Sequence, residues 1–199
     1  MAIQINGNGT ITGISVGGLP NGIVDTDMIA AGAATQAKRT YASGEIIQTK
    51  FFQNTSQYSN NSDSSPTQII SGAITPTNSS NKILITYHAQ VAYTNGSAHC
   101  HAQIMKSGSV IAAARGSISS SANTVAYNAN KIVYISSTSD NNRTGVSGSY
   151  SDTAGSTSAI TYAIGINANS TNGYCHSNRS AHNTDYGSSC ELILMEVAA

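Results

Sequence analysis

His99 and His101, with Cys100 between them, form the tightest grouping of potential metal ligands in the chain. Side chains on a strand alternate between faces, so a His-x-His pair places both imidazoles on one side. Gln103 and Met105 continue that side, while Cys100, Ala102 and Ile104 take the other. With the small apolar row turned to a core, the histidines point outward. Neutral imidazole suits a first-row transition metal, but an octahedral set needs six donors and one chain offers two here. The plainer reading is a pair of polar residues on a half-exposed strand.

A second group, Tyr174, His176, Arg179, His182, Asp185 and Tyr186, packs aromatic, basic and acidic side chains into one stretch rich in Asn and Ser. A pyranose has an apolar face and a polar rim, so aromatic platforms beside hydrogen-bonding groups suit sugar recognition. Loops on rigid β-scaffolds often carry such contacts. A mobile polar loop has the same composition. Tyr58, Asn60, Asn61 and Asp63 form a sparser version, and Arg115 and Arg143 are expected to be solvated or paired across an interface. Glycosidase chemistry needs two carboxylates at a working separation. Asp63, Asp140, Asp152 and Asp185 all fall in expected loops among Ser, Thr and Asn, and are read as solvated turn residues. The chain has no GxSxG, HExxH or Walker sequence, and Gly7-Asn8-Gly9 opens no helix. Nothing sets a nucleophile beside a base, so the expectation is a protein that is not an enzyme and requires no cofactor.

Composition narrows the class further. Only 9% of the 199 residues are charged, the formal net charge is zero, and Ser, Thr and Asn make up about a third of the chain. Disordered chains usually carry net charge and lack β-branched runs, whereas this one has 82-KILITY-87 and 131-KIVYI-135. Uncharged, hydroxyl-rich strands are typical of extracellular or virion β-structure. Neutrality argues against nucleic acid and anionic membrane as partners, and no apolar run approaches the ~20 residues that span a bilayer. The opening Met1-Ala2-Ile3-Gln4-Ile5-Asn6 has neither the basic segment nor the apolar stretch of a signal peptide, which implies synthesis in a cytoplasm and exit by another route such as lysis. Cys100, Cys175 and Cys190 are odd in number and lack CxxC spacing, so buried free thiols are expected rather than a disulfide framework.

These residues must be positioned by two unlike parts. Residues 1–42 read as an arm: short β-like pieces flank the turn signal Asn6-Gly7-Asn8-Gly9, and a short helix is expected over 25–38. The arm has too few large apolar residues to bury a core alone. Residues 43–199 read as strands and turns, with strands near 45–54, 67–75, 82–94, 98–106, 109–115, 123–136, 144–150, 158–168, 173–178 and 188–197. Their number and spacing suit an antiparallel β-sandwich of jelly-roll type. Alternation assigns Ile83, Ile85, Tyr87, Ala89, Val91 and Tyr93 to the core, and likewise Ile160, Tyr162, Ile164 and Ile166.

Three segments carry a resemblance. The opening 5-INGNGTITG-13 and 16-VGGLPNGIVD-25, the segment 74-ITPTNSSNKILI-85 and the ending 192-LILMEVA-198 resemble small bacteriophage tail-fibre and virion structural proteins of cyanophages and other aquatic phages. Residues 95–190 match no such pattern. The resemblance implies a trimeric β-sandwich fibre with an N-terminal attachment arm, located on the virion, with other tail or capsid proteins as partners. In that setting Ile3, Ile5, Ile11, Ile14 and Leu19 would be buried in attachment and trimerisation. The sandwich would project outward, with host-surface glycan as the expected target of the Tyr174 group. Three His99–His101 pairs near a three-fold axis would supply six imidazole nitrogens to a transition metal. A capsid decoration or head-fibre protein is the first alternative, and a lectin-like adhesin the second.

Overall fold

The computed structural model describes residues 4–5, 11–12, 39–62, 64–94, 98–114, 131–135, 143–168, 173–180 and 187–199. The chain forms two compact units, 1–40 and 41–199. In the first, β1 (Gln4–Ile5) pairs antiparallel with β2 (Ile11–Thr12), Ile5 facing Ile11 across the ladder. The turn signal Asn6-Gly7-Asn8-Gly9 lies outside the described residues. Ile3, Ile14, Leu19 and the helix expected over 25–38 lie outside the described residues.

The second unit is all-β. One antiparallel sheet runs β3 (Ile46–Asn54), β13 (Cys190–Val197), β6 (Lys82–Tyr93), β12 (Cys175–Ser177), β4 (Tyr58–Asn60), with β10 (Thr144–Thr153) also on β6. The other runs β5 (Thr67–Ile74), β11 (Ile160–Ala168), β7 (Ala98–Lys106), β8 (Ser109–Val110), with β9 (Lys131–Ile135) also on β7. The twelve-residue β6 organises the first sheet. One edge takes β10 along residues 82–91; the other takes β13 at 82–88 and then β12 at 91–93. Every apolar residue that alternation assigned to the core is buried, from Ile83 to Tyr93 and from Ile160 to Ile166. Rows from both sheets join in one apolar cluster, closed by Leu192 and Leu194 of β13 and by Ile69 and Ile74 of β5. At Gly72 the sheets approach so closely that a Cβ would fall on the Phe52 ring.

Three polar ties fasten this core, and two of them correct the sequence reading. Cys100 of β7 and Cys175 of β12 form a disulfide between the sheets, with Cα atoms 5.4 Å apart. The expectation of three free thiols holds only for buried Cys190. The pairing was hidden because the two cysteines are separated by 75 residues and meet only when the sheets stack. Asp152 is not a solvated turn residue. It sits in β10, accepts from the Lys106 ammonium at 2.7 Å and from the Tyr162 hydroxyl at 2.7 Å, and so links both sheets. Burial, with the Asp152 contact second, raises the Tyr162 pKa well above its ordinary value and keeps the phenol a donor.

The third tie joins two of the segments that carry the resemblance. Glu196 ends the core row of β13 and is 0% exposed. Its Oε1 accepts from the Thr77 amide at 2.7 Å, the Thr77 hydroxyl at 2.8 Å and Asn81 Nδ2 at 2.7 Å. Its Oε2 accepts from Gln48 Nε2 at 2.7 Å. Burial pushes the carboxyl pKa up, but the hydrogen bonds from Gln48, Asn81 and Thr77 outweigh it and hold the group below its ordinary value.

Candidate functional site

The side chains that could meet a ligand are organised where β12 crosses the end of β6. Cys175 faces the core, so Tyr174 and His176 face the outside of the first sheet. β12 pairs with β6 on one edge, His176 opposite Ala92, and with β4 on the other, His176 opposite Ser59. Ser59 Oγ lies 2.7 Å from His176 Nδ1 and fixes the imidazole. The Tyr174 backbone is held from both sides by Thr94: its N–H donates to Thr94 Oγ1 at 2.9 Å, and its carbonyl accepts from the Thr94 N–H at 3.2 Å. The two rings stack, centroids 5.9 Å apart and planes 18° apart.

The consequence is an exposed aromatic on a rigid base. His176 is buried beneath, yet Tyr174 remains 45% exposed, one of three large apolar side chains so exposed among the described residues. Beside it Ala92 of β6, opposite His176, is fully buried, and Gly145 of β10 lies opposite Gln90. Ser59 and Asn61 stand exposed along β4 and just past it. The β12 strand is anchored below by Asn178, whose positive φ of 59° is one that asparagine tolerates. Asn178 Nδ2 donates to the carbonyls of Asn54 at 3.1 Å and Ser56 at 3.0 Å.

Of the six residues read as one group, Tyr174 and His176 are brought together. Arg179 lies past the turn at Asn178, with its Nε donating to Ser180 O at 3.2 Å rather than toward the rings. His182, Asp185 and Tyr186 lie outside the described residues, as do Asp63, Arg115 and Asp140. Ser59 and Thr94 were missed as parts of this site. Their contribution depends on strand neighbours, and β4, only three residues long, left no periodic signal.

The histidine pair is arranged on its strand as alternation requires. Cys100, Ala102 and Ile104 are buried in the core cluster, and the rings of His99 and His101 share the other face with centroids 6.3 Å apart. His101 is nevertheless 0% exposed, as Gln103 and Asn167 are nearly so, and Gln103 Nε2 donates to Asn167 Oδ1 at 2.7 Å. Burial, and secondarily the neighbouring His99, lowers the His101 pKa to about 4, so its imidazole is neutral at pH 7. Among the described residues no group of three or more His, Cys, Asp or Glu side chains is placed to hold a metal ion. Also among them, no helix is long and apolar enough to cross a membrane.

No protein-family model matches this chain, and no curated protein does. Among solved structures, the C-terminal domain of EclA, a sugar-binding protein, is matched at 13% identity over 70% of this chain and 74% of that one. The TM-score is 0.28, too low for the likeness to bear on fold or function.

Proposed function

We propose that this is a non-enzymatic virion protein of bacteriophage, a short tail fibre or fibre-like appendage. Residues 1–42 dock to another virion protein, and the β-sandwich, of jelly-roll type, trimerises and contacts host-surface glycans. The observation that carries the glycan part is Tyr174, an exposed ring stacked on His176 and held by Thr94 at the edge of the first sheet. The virion part rests on the resemblance of the opening, of 74-ITPTNSSNKILI-85 and of the ending to phage fibre proteins. The cross-sheet disulfide supports a working life outside a reducing cytoplasm.

Self-association is favoured by the outer face of the first sheet. There Phe51, 59% exposed, stands opposite half-buried Ile193, and Leu84 stands opposite half-buried Met195. Ser149 and Ser151 extend these two rows onto β10. Neither row carries a charge, so a second copy meets no repulsion there. A capsid decoration protein of the same fold would present the same features. Labelled antibody on purified particles separates the readings: label at the tail is expected, label over the shell makes it a decoration protein, and unlabelled particles overturn the virion assignment.

A further inference from the structure

We propose that the shelf around Tyr174 is a hexopyranose-binding site, an inference that rests on the glycan-binding reading above and gives it a place and a ligand class. One face of the Tyr174 ring lies against His176, and the ring is still 45% exposed. The open surface is therefore the opposite face. A flat apolar face on a polar protein surface suits a ligand that is itself two-faced. A hexopyranose presents a patch of C–H groups on one side of its ring and hydroxyls around the rim, and stacking removes both apolar faces from water. The rim then needs donors and acceptors at the height of the sheet. The phenolic hydroxyl of Tyr174 and exposed Asn61 and Ser59 supply them on the β4 side.

The site is also built in advance. Thr94 fixes the Tyr174 backbone on both sides, Ser59 fixes His176, and the disulfide at Cys175 ties the strand between them to the other sheet. A ring already immobilised loses little entropy when a ligand stacks on it. Among the described residues no carboxylate belongs to the shelf, so the recognition expected is of neutral hydroxyls. Binding should then be insensitive to salt.

The test uses the full chain, fluorescently labelled, on an array of hexopyranose-terminated glycans, followed by titration with the methyl glycoside of the best-bound terminal sugar. Tyr174→Ala is expected to weaken binding at least about tenfold, the scale of one aromatic contact. Tyr174→Phe keeps the ring and should stay within about threefold. Asn61→Ala should lose several-fold. Both positions are exposed, so the melting temperature of each variant should match that of the parent. If the parent binds sugar and neither Tyr174→Ala nor Asn61→Ala alters the affinity, the shelf is not the site while the glycan reading stands. If the parent binds no glycan on the array, both fall.

Discussion

Glu196 is the residue on which the edge of the core depends. It is a buried carboxylate with no cation against it among the described residues, held by four hydrogen bonds from Gln48, Thr77 and Asn81. Glu196→Ala would remove the shared acceptor of these bonds and leave the buried Asn81 amide the worst matched, while Gln48 keeps the Thr75 carbonyl, and we expect a loss of about 1–3 kcal/mol by chemical denaturation. The sign with pH follows from linkage. The folded-state pKa is lowered, so this stabilisation is complete above the unfolded carboxyl pKa and is lost as pH falls through the folded value. The parent should therefore lose stability below about pH 4.5, and Glu196→Gln should lose less over the same range. Equal acid slopes in the two proteins would remove Glu196 from this role. The sequence made the Thr77–Asn81 and Glu196 segments visible as motifs, but not their contact. A polar residue closing an apolar alternation (Leu192, Leu194, Glu196) is the signal that was available, and its partners lie 115 and more positions away.

Strands were legible where one face is apolar without interruption. β6 and β11 keep an apolar core row along their length and were placed with their core faces correctly assigned, though β11 is buried on both faces from Tyr162 onward. β10 was shortened to 144–150 because its exposed row is Ser and Thr, and its last residues looked like a turn; in fact Asp152 pairs with Lys106 there. The stretch expected as a strand over 109–115 gives only β8 and a single 3-10 turn at Ala112–Ala114, where three alanines offer no β-branched side chain to pack. What no alternation could reveal is which strand lies over which, and that is what the disulfide records. It joins β7 to β12 across a sequence separation of 75. Closing a loop of that length stabilises by about 2–4 kcal/mol, chiefly by restricting the unfolded chain. The Cys100→Ser, Cys175→Ser double variant should lose that amount in urea, and the parent in reductant should match it. Buried Cys190, whose thiol pKa is raised by burial, should react only on unfolding. Thiol titration in denaturant should find one free thiol in protein from purified particles; three would refute the bond.

At the scale of the whole molecule, the composition and the surface point the same way. A chain with 9% charged residues has little charge to keep an apolar outer face from associating. Phe51, Ile193, Leu84 and Met195 lie on the outside of the first sheet, where Phe51 alone is 59% exposed. Burial of such a face against equal copies gains about 25 cal/mol per Å² of apolar area. We expect a homotrimer by light scattering at micromolar concentration. Phe51→Lys should shift the population toward monomer without lowering the stability of the isolated sandwich, because the side chain makes little of the core. Deletion of residues 1–42 should abolish incorporation into particles while leaving residues 43–199 folded, given their separate unit. A trimer also decides the His99–His101 question. Three chains would bring six imidazole nitrogens to an axis, but buried His101 must be reachable from that axis for the set to form. If the pairs do meet at such an axis, elemental analysis of the trimer, purified without chelator or added metal, would find about one transition-metal ion per three chains. The ion should be lost in the His99→Ala, His101→Ala double variant and should stabilise the parent by mass action. A metal-free trimer would leave the pair as packing residues, and a stable monomer would remove the axis on which the site depends.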